Sequence, residues 1–349
     1  MSDTLFARAC RREPVERTPI WIMRQAGRYL PEYRALRAKA DFLTCCHTPE
    51  LACEITLQPV QRLDVDAAIL FSDILVPLPA MGVEVTFNPG PHLARPVRSA
   101  GDVAALRVPD AREATPFVLE AIRLVRCALP QTVPLIGFAG APFTMATYLV
   151  EGGGSKHFDA IKGLLFSDPP TAHALLARCG ETVASLLAEQ VRAGAQAAML
   201  FDTWAGLLGP ADYRAFALPY VRRVFDRVTE VAAELGLDVP RIYYAGNAGG
   251  WLPACRDTGA TVVGLDWRMD LEPARAQLGP ELAVQGNLDP AVLLGTPALI
   301  RQRARAVLDQ AGPIGHVFNL GHGILPQTPP DHARVLVDAV RECSSRRVA

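Results

Sequence analysis

Short apolar runs rich in Val, Ile, Leu and Phe recur along this chain, each ending abruptly in polar or glycine residues and each followed by a long amphipathic segment. Eight runs fit the rhythm: Pro19–Met23, Ala67–Phe71, Val133–Phe138, Gln196–Phe201, Arg241–Ala245, Thr261–Leu265, Leu282–Gln285 and His316–Leu320. A strand buried on one face alternates apolar and polar residues. A continuous apolar run instead predicts a strand covered on both faces, as in a parallel sheet. Between the runs, Thr48-Pro49 and Asp168-Pro169 predict N-caps followed by proline at the first helical position. Thr171–Ala193 repeats Leu and Val at helical spacing and stops at Gly194, and Asp212–Leu235 does the same before Gly236. Strand–helix alternation with right-handed crossovers gives a parallel sheet, open or closed. Eight strands favour the closed form, a (β/α)8 TIM barrel. With 349 residues, no low-complexity linker and no tandem repeat, residues 1–349 are expected to form a single barrel domain.

The unusual residues fall where a barrel would use them. Arg24, Asp73, Gly140, Asp202, Asn247, Asp266, Asn287 and His322 all lie just after a run. In a barrel these positions converge on one mouth, at the C-terminal ends of the strands, where barrel active sites sit. In an open sheet they would be scattered along an edge.

Composition excludes several function classes. Half the residues are apolar and 20% are charged, far from the disordered regime. With 35 basic and 36 acidic residues the net charge is −1, so no global field draws in nucleic acid or an anionic membrane. An acidic substrate would need its counter-charges concentrated locally. Met1 to Arg17 has no apolar core of a secretion signal, and no stretch is long enough to span a bilayer. The eight cysteines, at 10, 45, 46, 53, 127, 179, 255 and 343, form no C-x-x-C pair. Reduced thiols and a cytoplasmic location are expected. Cys45-Cys46-His47 invites a metal reading, but adjacent cysteines do not easily chelate one tetrahedral ion and no second cluster answers them. Ordinary packing is the expectation there, with no metal.

Arg24-Gln25-Ala26-Gly27-Arg28-Tyr29-Leu30-Pro31 places two arginines four apart around a glycine, and Arg37 follows nine residues after Arg28. Guanidinium forks bind carboxylates bidentately and stay charged at any working pH. A solvated helix face carries such pairs routinely, but this pair directly follows an apolar run. Asp73, in Phe71-Ser72-Asp73-Ile74-Leu75, has two readings: a structural carboxylate capping a loop, or an anion placed where cationic charge develops during reaction. Gly137 to Pro142 and Gly152-Gly153-Gly154 contain neither G-x-G-x-x-G nor a phosphate-loop lysine. They read as backbone that a bulky flat ligand approaches closely. Tyr148 brings a hydroxyl to that wall, or else packs in the core. His322 stands between two glycines in a loop, which favours a ligand hydrogen bond or proton transfer over a core role. There is no G-x-S-x-G elbow and no H-E-x-x-H zinc motif.

Together these motifs resemble the uroporphyrinogen decarboxylase family. The resemblance covers nearly the whole chain through Pro19 to Pro31, Phe71 to Leu75, Gly137 to Gly153, Gly286-Asn287-Leu288-Asp289-Pro290 and Phe318 to Gly323. It implies a single (β/α)8 domain, a homodimer, and removal of the four acetate carboxylates of uroporphyrinogen III as CO2 to give coproporphyrinogen III, with no cofactor. The family's substrate-binding stretch maps to Arg24, Gln25, Ala26, Gly27, Arg28 and Arg37. Its central aspartate maps to Asp73, its tyrosine and histidine to Tyr148 and His322, and a hydroxyl residue, often serine, to Thr203. Asp73, Tyr148 and His322 are the implied catalytic residues. Tyr148, His322, an arginine or water remain open as the proton donor.

Zinc-dependent cobamide:thiol methyltransferases resemble the same barrel but need a His-x-Cys pair after the fifth strand. The corresponding stretch here is Tyr243-Tyr244-Ala245-Gly246-Asn247, without those ligands. A non-catalytic tetrapyrrole binder is expected to lose Asp73 or the arginines, and all are present.

Overall fold

The protein is described by a computed structural model covering residues 3–87 and 90–346. Among the described residues nine strands are formed: β1 Ala68–Ile69, β2 Val85–Phe87, β3 Pro91–Leu93, β4 Leu135–Gly140, β5 Ala197–Asp202, β6 Arg241–Ala245, β7 Val262–Gly264, β8 Ala283–Gln285 and β9 His316–Val317. Seven of them make one sheet in the order β1-β4-β5-β6-β7-β8-β9, with every pair parallel. The order follows the chain, as successive strand–helix units demand. Strand residues are buried on both faces, which explains runs without alternation. β2 and β3 form a separate antiparallel hairpin between β1 and β4.

Seven of the eight predicted runs supply the sheet; the first behaves differently. Pro19–Met23 holds one parallel bridge, Ile20 to Phe318, beside β9. Apart from Trp21, whose backbone N–H donates to the Phe318 carbonyl, its N–H groups go elsewhere. Pro19 has none, Ile20 donates to Asp66 Oδ2 at 2.9 Å, Ile22 to Gln25 Oε1 at 3.0 Å and Met23 to Asn319 Oδ1 at 2.8 Å. Side chains have captured the donors a ladder would use. Trp21 is fully buried and reaches across to β8, where its indole N–H meets Gln285 Oε1 at 2.9 Å.

The helices between strands show which local signals operate. Pro169–Ala193 starts as expected, with Asp168 accepting the Thr171 N–H, and ends at left-handed Gly194. Thr48 precedes Pro49–Leu63 but makes no side-chain capping bond; the proline alone marks that start. The expected helix Asp212–Leu235 is two helices, Pro210–Phe216 and Leu218–Glu234. Pro219 lacks the N–H that would continue the first helix and restricts the residue before it, so the chain breaks at Ala217. One continuous apolar core runs from Phe6 to Val340.

The glycines of the fourth-strand region differ from the expectation of a ligand-facing wall. A side chain at Gly137 would meet Gln190 and Ala195, and one at Gly140 would meet Met145 and Ile74. Gly153, at φ 154°, lies under the Pro91 carbonyl and is bridged to His92. Leu93 donates to the Gly152 carbonyl at 2.9 Å. These glycines let helix and hairpin close on the sheet, a packing role rather than a ligand contact.

Candidate active site at the C-terminal end of the sheet

The loop after Pro19–Met23 is stitched to the loop after β9. Asn319 Oδ1 accepts the Met23 N–H, and Ile324 donates to the Met23 carbonyl at 2.9 Å. Arg24 adopts a left-handed φ of 63°, uncommon outside glycine, and its side chain lies directly over Gly323. The exposed guanidinium bears electrostatically on Asp73, Tyr148, Tyr244 and His322. One cation thus links the loops after the first run, β1, the helix after β4, β6 and β9.

Asp73 is half-buried and accepts the Leu75 N–H at Oδ1, 2.9 Å away. No donor among the described residues reaches Oδ2. Burial raises its carboxyl above the ordinary range, while the Leu75 bond and Arg24 act in the opposite direction. Cys46, buried nearby, feels both Asp73 and Arg37.

Tyr148 sits on the helix Pro142–Glu151, edge-on to Trp204 with ring centroids 6.1 Å apart. Burial raises its pKa; the Trp204 indole and Arg24 pull it down, and Asp73 pushes it up. Trp204 is itself placed from beneath. Its backbone N–H donates to Thr144 Oγ1 at 3.2 Å, and the Thr144 hydroxyl donates to Asp202 Oδ1 at 2.7 Å. Thr203, half-buried, borders this corner, and its carbonyl leaves no room for a side chain at Gly246.

His322 is pushed down to about 4, first by burial and then by Arg24 and Arg268, with Asp266 opposing. It is therefore neutral near pH 7 rather than a cation. Its ring stands edge-on to Tyr244 and Trp267, each with centroids 6.3 Å away.

The remaining residues separate into two groups. Arg28 is exposed on the same loop, and Arg37 lies half-buried against Phe42, its Cζ 5.9 Å from the ring centroid, while it donates to the Ala40 carbonyl. Gln25 does not face the mouth. It is fully buried, accepts the Ile22 N–H and donates to the Ala67 carbonyl at 3.1 Å, tying the first run to β1. Ala26 and Gly27 are half-buried, and Gly27 is needed because a side chain there would press on the Arg24 carbonyl at 2.8 Å. Cys45 and Cys46 are buried on the helix Phe42–His47, and His47 packs on Phe117 with centroids 4.4 Å apart. That packing accounts for the Cys-Cys-His cluster.

Sequence reasoning singled out Asp202 and Asp266 only by position. Both prove fully buried, Asp266 accepting N–H groups from Asn247 and Arg268. Arg268 was missed; its only signal was an arginine two residues past a strand-end aspartate.

The fold is shared with known structures. A methyltransferase from Methanosarcina mazei superposes with a TM-score of 0.83 at 22% identity, covering 98% of both chains. A B12-independent methionine synthase from Shewanella follows at 0.56 and 12% identity, covering 84% of this chain and 88% of that one. At such identities the likeness concerns fold alone. The sequence comparisons are more specific. The family profile described as Uroporphyrinogen decarboxylase (URO-D) matches residues 1–343. Proteins named uroporphyrinogen decarboxylase are 52% identical in Syntrophotalea carbinolica, covering 97% of both chains, and 52% identical in Nitrosococcus oceani, covering 99% of this chain and 97% of that one. The relative from Myxococcus xanthus is also 52% identical, covering 97% of this chain and 96% of its own. With the arginine loop, Asp73, Tyr148 and His322 each at the end of the sheet, the chain belongs to the uroporphyrinogen decarboxylase family.

Proposed function

We propose that Asp73 is the electrostatic centre of a decarboxylation site whose substrate is held by Arg24, Arg28 and Arg37. The chain is a carboxy-lyase of its family, acting on uroporphyrinogen III to give coproporphyrinogen III and CO2. The observation that carries the site reading is the half-buried Asp73 carboxylate, with one oxygen tied to Leu75, the other without a donor among the described residues, and the charge of Arg24 bearing on it.

Loss of CO2 from an acetate leaves an electron pair that needs a sink. A proton added to the ring carbon adjacent to the one bearing the acetate makes an iminium-like ring. The carboxylate carbon–carbon bond then breaks, its electrons neutralise the ring, and CO2 departs. Protonation of the exocyclic carbon and loss of the ring proton leave a methyl group; one proton is consumed and one CO2 released. A fixed anion beside the pyrrole N–H groups stabilises the cationic ring as it forms, so no cofactor is required. Arginines hold the other acidic side chains and set which acetate lies over the reacting position. Tyr148, beside Asp73, and neutral His322 complete the polar rim, with Thr203 supplying a further hydroxyl.

The same reading treats Pro19–Met23 as the eighth stave of a closed (β/α)8 barrel in a single domain. Trp21 donates to the Phe318 carbonyl at 3.3 Å on one side, and Asp66 to the Ile20 carbonyl at 2.8 Å on the other. One core continuous from Phe6 to Val340 supports the single domain. Family membership supports a homodimer, and a sedimentation mass of one chain would refute it. Eight free cysteines support a cytoplasmic location, and among the described residues no helix is long and apolar enough to cross a membrane. The methyltransferase alternative lacks its ligands: the Tyr243 and Tyr244 hydroxyls donate to Asp202 and to the Gly321 carbonyl instead.

The test is anaerobic incubation of chelator-treated protein with uroporphyrinogen III and chromatography of the oxidised porphyrins, for wild type and Asp73→Asn. Wild type should yield the series of lower carboxylates. The variant should fold normally but lose about 100- to 1,000-fold in kcat/KM, the scale of one preorganised electrostatic partner. Near-normal turnover by the variant would remove Asp73 from this role.

A further inference from the structure

The arginines invoked above all lie in one stretch, Arg24 to Arg37. A polycarboxylate macrocycle carries acidic groups around its whole rim, so cations drawn from one loop leave much of that rim unmatched. Arg268 stands elsewhere on the same end of the sheet. It follows β7, which is separated by β8 from β9, the strand bridged to the Arg24 run.

Its side chain is held but not consumed. The guanidinium lies over the Trp267 ring, with Cζ 4.0 Å from the centroid. Stacking of this kind fixes the plane of the fork while leaving its edge free. Asp266 is the obvious ionic partner, yet its Oδ2 is 3.6 Å from Arg268 Nη1, beyond hydrogen-bonding distance. The Asp266 carboxylate is already engaged by the backbone N–H groups of Asn247 and Arg268. No acceptor among the described residues takes a hydrogen bond from the Arg268 fork, whose side chain is 53% exposed. Trp267 in turn stands edge-on to His322, so the fork borders a residue already placed at the site.

We propose that Arg268 is a further substrate-binding residue, presenting an aligned guanidinium to a side-chain carboxylate of the tetrapyrrole from the β7 side of the mouth. The assignment rests on the decarboxylase reading for its ligand. It predicts a binding role rather than a part in bond breaking, because the group touches a carboxylate that is not reacting.

Arg268→Gln and Arg268→Lys in the full chain separate these roles. KM and kcat are measured with uroporphyrinogen III, and equilibrium binding of coproporphyrin III is followed by fluorescence. For Arg268→Gln, KM and the coproporphyrin Kd should both rise about tenfold, with kcat within about twofold of wild type. Arg268→Lys should fall between, since it keeps the charge and loses the fork. Unchanged KM and Kd in Arg268→Gln would overturn the proposal, as would a lower kcat with KM unaltered. Should wild type bind coproporphyrin III but release no CO2, the decarboxylase reading fails while the Kd comparison still decides Arg268.

Discussion

Asp202→Asn separates the stability of the sheet from the chemistry at its end. The Asp202 carboxyl closes β5 with no exposure to solvent. It accepts from the Thr144 hydroxyl and from the Tyr243 hydroxyl, each at 2.7 Å, and no cation among the described residues pairs with it. Burial therefore pushes its pKa from 3.8 up to about 6, against the pull of both hydroxyls. The folded protein thus holds this proton more tightly than the unfolded chain does. The associated stability is fully present below about pH 4 and is lost as pH rises through about 6. An interval of roughly two pH units at ~1.4 kcal/mol each makes this about 3 kcal/mol. Asparagine keeps the shape and, through its carbonyl, the Thr144 bond. Its amide, however, turns Tyr243 from donor to acceptor and disturbs the Tyr213–Tyr243 contact at 3.2 Å, a loss of about 1 kcal/mol. At pH 7.5 the variant should be more stable by about 2 kcal/mol, and toward pH 4 the sign should reverse, leaving it less stable by up to about 1 kcal/mol. Urea unfolding followed by tryptophan fluorescence, repeated from pH 4 to 8, reads this difference directly. The other titrating groups are common to both proteins, so they cancel in the comparison. A difference that stays constant across that range would refute the reasoning, since Asp202 would then not change its proton affinity on folding.

Two further outcomes test how the site is supported. In Gly323→Ala the new methyl group would press on the Arg24 side chain, 2.8 Å from Cγ and 2.9 Å from Nε, and a flexible side chain can yield. Thermal stability should change by less than about 0.5 kcal/mol while KM rises severalfold, and an unaltered KM would show that the position of Arg24 does not matter. Asp66→Ala strips the Ile20 N–H and the paired Arg17 fork, bonded at 2.5 and 2.6 Å, of their acceptor. It should destabilise the protein by about 3 kcal/mol in urea unfolding, and a change under about 1 kcal/mol would mean the first run holds without it.

The proposed site would also let a chain of net charge −1 handle a polyanion. Its cations are gathered locally: Arg24 bears on Asp73, Tyr148, Tyr244 and His322, and Arg268 on the last two. The same charge, with burial and Arg268, keeps His322 neutral near pH 7. A neutral imidazole can donate or accept a hydrogen bond, the part the proposed site gives it.

The periodicity of this chain determined the strands, because a strand covered on both faces must be apolar throughout, and seven of the eight runs entered one parallel sheet in chain order. It also determined which residues sit at strand ends, hence that Arg24, Asp73 and His322 lie at the same end of the sheet. Only the tertiary structure decided where individual side chains turn. Gln25, in the middle of the arginine motif, looks like its neighbours in sequence but is buried by the backbone partners waiting at Ile22 and Ala67. The glycines in and after β4 answer to Gln190 and Pro91, both distant in sequence, and to Met145 on the following helix. Pro19–Met23 reads as a strand, yet the N–H groups of Ile20, Ile22 and Met23 are taken by Asp66, Gln25 and Asn319, and only Trp21 donates to the neighbouring backbone, at Phe318. Arg268 became visible only with Trp267 beneath it and Asp266 already occupied. The reason is common to these cases: hydrophobic period is a local property of the chain, whereas a polar group's direction is set by whichever donor or acceptor folding brings beside it.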